Sequence, residues 1–188
     1  MKLTLKDAGK PARTDLLALL VPLGADPESP SNVDVPDGFL VGFEAKPRAK
    51  RSTFAVGGQA REVLLIGLGA AEDVDAEELR RAAAVAVKEA LARKVKSVHV
   101  EVDGVAAERA GGAEVAGRAV AEGALLATYS FDDSKSDPES AALTSIALGG
   151  PGAGFKRGAK LGQLLAESSA FTRDLQNGAG NVVTPTAL

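Results

Sequence analysis

Acid–base or metal chemistry in this sequence would have to start from His99, the only histidine, because the chain contains no cysteine and its remaining candidates are scattered carboxylates. Thiolate metal sites, a cysteine nucleophile and disulfide staples are excluded by that inventory. His99 falls in an alternating run, residues 95–102, in which Ser97, His99 and Glu101 share one face and Val98, Val100 and Val102 the other. No second histidine is present to build a metal site, and no serine stands as an evident partner for a Ser–His–acid set. We therefore expect His99 to be a half-exposed residue of a sheet. Asp132, Asp133 and Asp137 could collect a hard cation. Their spacing lacks the ligand pattern and turn glycine of a calcium loop, so a solvated loop is the better expectation.

Two glycine-rich stretches invite comparison with phosphate-binding loops. Gly67-Leu68-Gly69-Ala70-Ala71-Glu72 follows a strand-like run and precedes a helical one, as a dinucleotide fingerprint does, but Glu72 stands where the third glycine would allow close helix–strand packing. The helix signal also starts only at Asp75, too late for its amides to meet a pyrophosphate held by the first two glycines. A plain strand-to-helix turn is expected there. Gly149-Gly150-Pro151-Gly152-Ala153-Gly154-Phe155-Lys156 has glycines and a lysine but ends without the Gly-Lys-Ser/Thr that a Walker loop needs, and it reads as a flexible surface connection. Lys46, Arg48, Lys50 and Arg51 form one basic cluster, broken by Pro47, that could touch a phosphate backbone. Without interleaved aromatics or a positive net charge, nucleic acid is not the expected partner.

The elements that would position these residues follow from hydropathy period. Leu3 and Leu5 alternate with polar neighbours, and residues 16–21 form a continuous apolar run closed by Pro22 and Gly24, giving two strands, the second fully buried. Pro27, Pro30 and Pro36, with Ser, Asn and Asp around them, mark a loop over residues 25–37. Residues 52–56 and 61–69 flank Gly57-Gly58-Gln59 and read as a hairpin, with residues 63–66 as the central strand. Asp75 followed by Glu78 is an N-cap signature, after which Leu79, Ala82, Ala83, Ala86, Ala90 and Leu91 recur at helical spacing, with Arg93 and Lys94 where a helix dipole favours cations. The order strand, helix, strand into residues 95–102 predicts a right-handed crossover and a parallel pair. A second helix spans residues 113–128, with Gly117 and Gly123 permitting close packing; a short strand covers residues 143–148. A long helix follows from Gly158 to about Leu175, with Leu161, Leu164, Leu165 and Phe171 on its apolar side.

Composition agrees with one α/β unit. The 188 residues are 45% hydrophobic and 25% charged, enough for a core, while aromatics make up only 4%, so Ala, Val and Leu must fill it. The net charge of −3 and the scarcity of rings argue against a polyanion as main partner. Residues 1–7 lack the apolar run of a signal peptide and no stretch approaches a membrane span, so a soluble, cytoplasmic protein is expected.

Three stretches in order carry a resemblance: Arg61-Glu62-Val63-Leu64-Leu65-Ile66-Gly67-Leu68-Gly69; Leu126-Ala127-Thr128-Tyr129-Ser130-Phe131-Asp132 with Lys135-Ser136; and Arg173-Asp174-Leu175-Gln176-Asn177 with Asn181-Val182-Val183-Thr184-Pro185. Together they cover the chain from about Leu16 onward and resemble the amino-terminal half of the leucyl (cytosol) aminopeptidase family. The resemblance implies a macro-domain-like α/β fold, a mixed and largely parallel sheet flanked by helices in three layers. It divides the chain into residues 1–157 as the amino-terminal domain and residues 158–188 as a linker helix and the entry to a catalytic domain, which we expect to lie outside this sequence. It further implies that the whole enzyme is a homo-hexameric metallopeptidase releasing amino-terminal residues from peptides. The two divalent cations, manganese or zinc, would be held by Lys, Asp and Glu motifs of that catalytic domain. None of those motifs occurs here, so no catalytic, cofactor-binding or metal-ligating residue is assigned in this chain, and assembly and control of access to the active site are the expected roles. Two alternatives stay open, a macro-like module for ADP-ribose or a nucleotide and a DNA-binding accessory domain. One departure from the family is that Gly178-Ala179-Gly180 separates Asn177 from Asn181 where Pro-rich spacing is usual, which implies a looser linker.

Overall fold

The computed structural model describes residues 1–24, 33–131 and 143–178. The acids Asp132, Asp133 and Asp137 and the segment Asn181 to Pro185 lie outside the described residues. Strands β1 (Lys2–Asp7) and β2 (Thr14–Leu23) come first, then the two-residue β3 (Val33–Asp34), β4 (Lys50–Phe54), the two-residue β5 (Gly57–Gly58) and β6 (Ala60–Ala70). Helix α1 (Ala76–Ala92) leads to β7 (Ser97–Val102); α2 (Gly104–Arg109) and α3 (Ala113–Leu126) lead to β8 (Ser145–Gly150); α4 (Gly152–Asn177) ends the described chain. The main sheet has six strands in the order β1-β8-β7-β2-β6-β4, parallel except for the β4–β6 pair. An α/β fold is thus what the alternating signals predicted, and its mixed, mostly parallel sheet is what the resemblance implied.

One strand is placed differently from expectation. Residues 63–66 belong to β6, second from the edge beside β4, while β7 and β2 form the middle pair of the sheet. Hydrophobicity could not rank them, because β2 and β6 are both buried on both faces. The parallel crossover from β6 through α1 to β7 passes over β2, which pairs with both.

The two faces of the sheet are covered by different material. On one, Leu16, Ala18, Leu64, Ile66, Val98, Val100, Ile146 and Leu148 pack with Leu79, Ala83, Val87, Val120 and Phe155 of the helices. On the other, Leu17, Leu19, Val21, Val63 and Leu65 pack under Val33, Ala45 and the half-buried Phe39, Leu40 and Phe43 of irregular chain. Crossover handedness accounts for the split. The steps β6 to β7 and β7 to β8 move along the sheet in one direction and carry helices. The step from β1 to β2 moves the other way, so a connection of the same hand must run over the opposite face.

Local signals are obeyed where they were strongest. Asp75 caps α1 through its Oδ1, which accepts the Glu78 amide at 2.7 Å. Gly117 and Gly123 do sit at close approaches: a Cβ on the first would lie 2.1 Å from the Phe155 carbonyl oxygen, and on the second 2.0 Å from that of Arg80. The Gly149–Gly154 stretch departs from the expected flexible turn. Gly149 and Gly150 finish β8, and the helix begins at Gly152, with Pro151 as its N-cap residue.

Candidate functional site

Among the described residues, titratable side chains gather in the interior where residues 8–13 cross from β1 to β2, over the sheet face on which the described residues place no helix. His99 is completely buried, correcting the expectation of a half-exposed position, and Glu101 beside it is nearly so. The His99 Nε2 and Glu101 Oε2 atoms are 2.8 Å apart. The Ala12 amide donates to His99 Nδ1 at 3.1 Å and the Gly9 amide to Glu101 Oε1 at 2.7 Å. With Nδ1 acting as acceptor, the ring proton belongs on Nε2, donated to the carboxylate. Two backbone donors that the crossing would bury are thus satisfied by a pair of side chains standing on β7.

The sheet below is shaped for this pair. A Cβ at Gly149 would fall 2.0 Å from Glu101 Oε2 and 2.6 Å from His99 Nε2, so β8 needs glycine at that position. One residue pair further along, Asp15 Oδ2 accepts from the amides of Lys96 and Ser97 and from Ser97 Oγ, which in turn accepts the Asp15 amide at 2.8 Å. The face made by Ser97, His99 and Glu101 was legible in the alternation of residues 95–102. Its occupant was not, and Gly9, Ala12 and Gly149 were missed as its partners. A polar, inward face in a strand flanked by apolar runs was the available signal. Chemically, the arrangement orients backbone. Among the described residues no group of three His, Asp or Glu side chains comes together that could hold a metal ion.

The other sequence candidates are also explained by packing. Gly67 lies against crossing chain, since a Cβ there would be 2.2 Å from the Lys46 carbonyl oxygen, and a Cβ at Gly69, whose φ is +87°, would lie 2.8 Å from Pro47 Cγ. The Arg48 amide donates to the Gly67 carbonyl at 2.7 Å, and the Gly69 amide to the Ala45 carbonyl at 2.8 Å. The backbone that a pyrophosphate would need is therefore occupied by residues 45–48.

Most of the basic cluster is similarly engaged. The Arg51 guanidinium donates to the carbonyls of Phe39, Val41 and Gly42 and lies 5.4 Å from the Phe43 ring centroid. Lys50 pairs with Glu89, and Lys46 with Glu44. Arg48, unlike Lys46 and Lys50, has no ion pair among the described residues. Its backbone adopts φ +61° where the chain turns onto β6.

Comparison with known proteins places this α/β domain, whose polar interior holds its own connections beside a glycine-shaped strand end. Residues 41–138 match the N-terminal domain of the cytosol aminopeptidase family, and the chain belongs to that family. It is similar to the probable cytosol aminopeptidase of Solibacter usitatus, 35% identical over 131 residues, covering 70% of this chain and 26% of that protein. It is equally similar to that of Rippkaea orientalis, 35% identical over 146 residues, covering 76% of this chain and 29% of the relative. The chain thus spans little more than a quarter of the length of the curated relatives it matches. Among solved structures, the bottromycin maturation enzyme BotP is 28% identical with a TM-score of 0.71, over 93% of this chain and 35% of that one. A mutant tomato leucine aminopeptidase, 20% identical with a TM-score of 0.73 over 100% of this chain and 40% of that one, shares the fold.

Proposed function

We propose that this chain is the non-catalytic amino-terminal domain of a leucyl aminopeptidase, serving subunit assembly and access to an active site carried elsewhere in a longer polypeptide. The observation that carries the reading is the commitment of its reactive side chains. His99 and Glu101 hold the residue 8–13 crossing, and Arg51 holds the residue 39–42 loop. A catalytic pair needs a face open to substrate, and His99 has none. Residues 158–188 then form the link onward from a body of residues 1–157.

In the whole protein, metal-assisted hydrolysis would release amino-terminal residues from peptides, with manganese or zinc bound outside this chain. One solved relative, BotP, was determined in complex with Mn, which supports metal use in the family. A homo-hexamer in the cytoplasm is the assembly we propose; no helix among the described residues is long and apolar enough to cross a membrane. The test is an assay of the purified 188-residue chain on an aminoacyl p-nitroanilide with manganese or zinc. Release should not exceed the buffer rate, and metal-dependent turnover by this chain would overturn the proposal.

A further inference from the structure

Helix α4 is held by packing along its first half and by polar ties at its end. Its buried positions are Phe155, Gly158, Ala159, Gly162 and Ala166. A Cβ at Gly158 would lie 1.8 Å from the Glu114 carbonyl oxygen, and at Gly162 2.4 Å from that of Arg118, so a glycine seam joins α4 to α3 almost backbone to backbone. The side predicted to be its core face points outward instead, with Leu161, Leu164, Leu165 and Phe171 all exposed. None of the described residues after Ala166 is buried.

What fixes the last turns is a small set of hydrogen bonds. Tyr129 Oη donates to Asp174 Oδ1 at 2.9 Å, Asn177 Nδ2 donates to Tyr129 Oη at 3.2 Å, and the Arg173 guanidinium lies 5.4 Å from the Tyr129 ring centroid. The Gly178 amide closes the helix by donating to the Asp174 carbonyl at 2.8 Å.

Asn177 and Gly178 are reactive as a pair. The nitrogen that follows an asparagine can attack that residue's own Cγ and close a succinimide ring, and a following glycine has no side chain to hinder the approach. The chain's other asparagines, Asn32 and Asn181, each precede a valine, whose branched side chain does hinder it. In the closed helix the attack at Asn177 is blocked, because the nitrogen is committed to Asp174 and the side-chain amide to Tyr129. Asn177 is exposed, however, and a helix end tied by so few bonds frays and frees both groups together.

We propose that Asn177 is a site of spontaneous deamidation and that the change unfastens the end of α4 from Tyr129, an inference independent of the function proposed above. The Gly178 nitrogen gives its proton to solvent base and bonds to Asn177 Cγ, while the Cγ–Nδ2 bond breaks and Nδ2 leaves as ammonia with a proton from water. A water molecule then opens the succinimide at either carbonyl, giving aspartate or isoaspartate at position 177. Both products lose the donor to Tyr129 Oη. Aspartate adds negative charge beside Asp174 at the helix end where the dipole is already negative. Isoaspartate carries the main chain through Cβ, which breaks the bond from Gly178 to Asp174. The glycine seam lies earlier in α4 and stays closed.

The test is prolonged incubation of the 188-residue chain in mildly alkaline buffer, with each asparagine followed by peptide mass spectrometry and α4 by hydrogen exchange. Asn177 should convert at least about tenfold faster than Asn32 or Asn181. Residues 171–178 should lose exchange protection in step with that conversion, while residues 152–166 keep theirs. Gly178→Val should slow Asn177 to the rate of the other two. Tyr129→Phe, which removes the acceptor of Asn177 and the tie on Asp174, should speed conversion about two- to fivefold by letting the last turn open more often. Equal conversion at all three asparagines would overturn the site. Conversion that leaves protection at the helix end unchanged, or a Tyr129→Phe protein that reacts no faster, would overturn the release from Tyr129.

Discussion

At Gly149, a single missing methyl group decides whether the crossing between β1 and β2 can be held. Adding it would press a Cβ to 2.0 Å from Glu101 Oε2, with His99 Nε2 at 2.6 Å, and neither buried side chain has free space to move into. Gly149→Ala is expected to destabilise the fold by about 2–3 kcal/mol through overpacking. Changing His99 to Leu acts differently, since it fills space but strands the Ala12 amide and removes the donor to Glu101. The expected cost is about 2–4 kcal/mol, the penalty for buried groups left unpaired. Urea unfolding monitored by circular dichroism would measure both variants, and a His99→Leu protein as stable as the parent would refute the role of the pair. The alternation of residues 95–102 showed that His99 and Glu101 share a face. It could not show what lies over them, because the Ala12 amide is 87 residues away in sequence and a strand's period carries no information about remote backbone.

Between elements, the glycines of α4 separate two effects that share one substitution. In an exposed helix interior, Gly→Ala gains up to about 1 kcal/mol of propensity. A Cβ at Gly154 would make only ordinary van der Waals contacts, 3.5 Å from the Ala113 Cβ, 3.7 Å from the Glu114 amide nitrogen and 3.8 Å from Arg157 Nη2, so Gly154→Ala should be neutral or stabilising by up to about 1 kcal/mol. Gly158, whose Cβ would meet the Glu114 carbonyl oxygen at 1.8 Å, should reverse the sign, with Gly158→Ala costing about 2 kcal/mol or more as α3 and α4 are forced apart. Thermal melts of the two variants side by side test this, and equal shifts would show that the seam is looser than described. The same seam explains where sequence reading succeeded and failed. Gly117 and Gly123 were recognised as packing positions because they interrupt a run of alanines, and Asp75 was recognised by its capping pattern. The apolar side of α4 was assigned to its leucines on the rule that large residues bury. Here close backbone contact between helices puts glycine and alanine inside and leaves the leucines outside. Gly149 to Gly154 was read as flexible for a related reason, since glycine that allows close packing and glycine that allows a turn look alike in sequence.

For the molecule as a whole, ion pairs between elements are the part of the stability that pH can reach. Gly123 lets α3 approach α1 closely, and that approach sets Glu122 between Arg80 of α1 and Arg118 of α3, at 2.9 and 2.8 Å. Burial pushes the Glu122 carboxyl up, but hydrogen bonds and charge from Arg118 and Arg80 outweigh it and hold the group below its ordinary value. Glu89 is lowered as well, first by its hydrogen bond from Lys50 of β4. A carboxyl lowered in the folded state contributes stability that is present above its unfolded pKa of about 4.3 and is lost as the pH falls through the folded value. Stability should therefore decline as the protein is acidified below about pH 5, with α1, which anchors both pairs, losing its ties to β4 and α3 together. Because Arg118 and Arg80 are partly exposed, Glu122→Gln should cost only about 1 kcal/mol near neutral pH. The difference from the parent should shrink as the pH falls through the lowered folded value of Glu122, where the parent's own carboxyl takes up its proton. Urea unfolding of both proteins across that range tests the linkage, and a gap that stays constant or widens in acid would mean that Glu122 stabilises the fold by its packing and not by its charge.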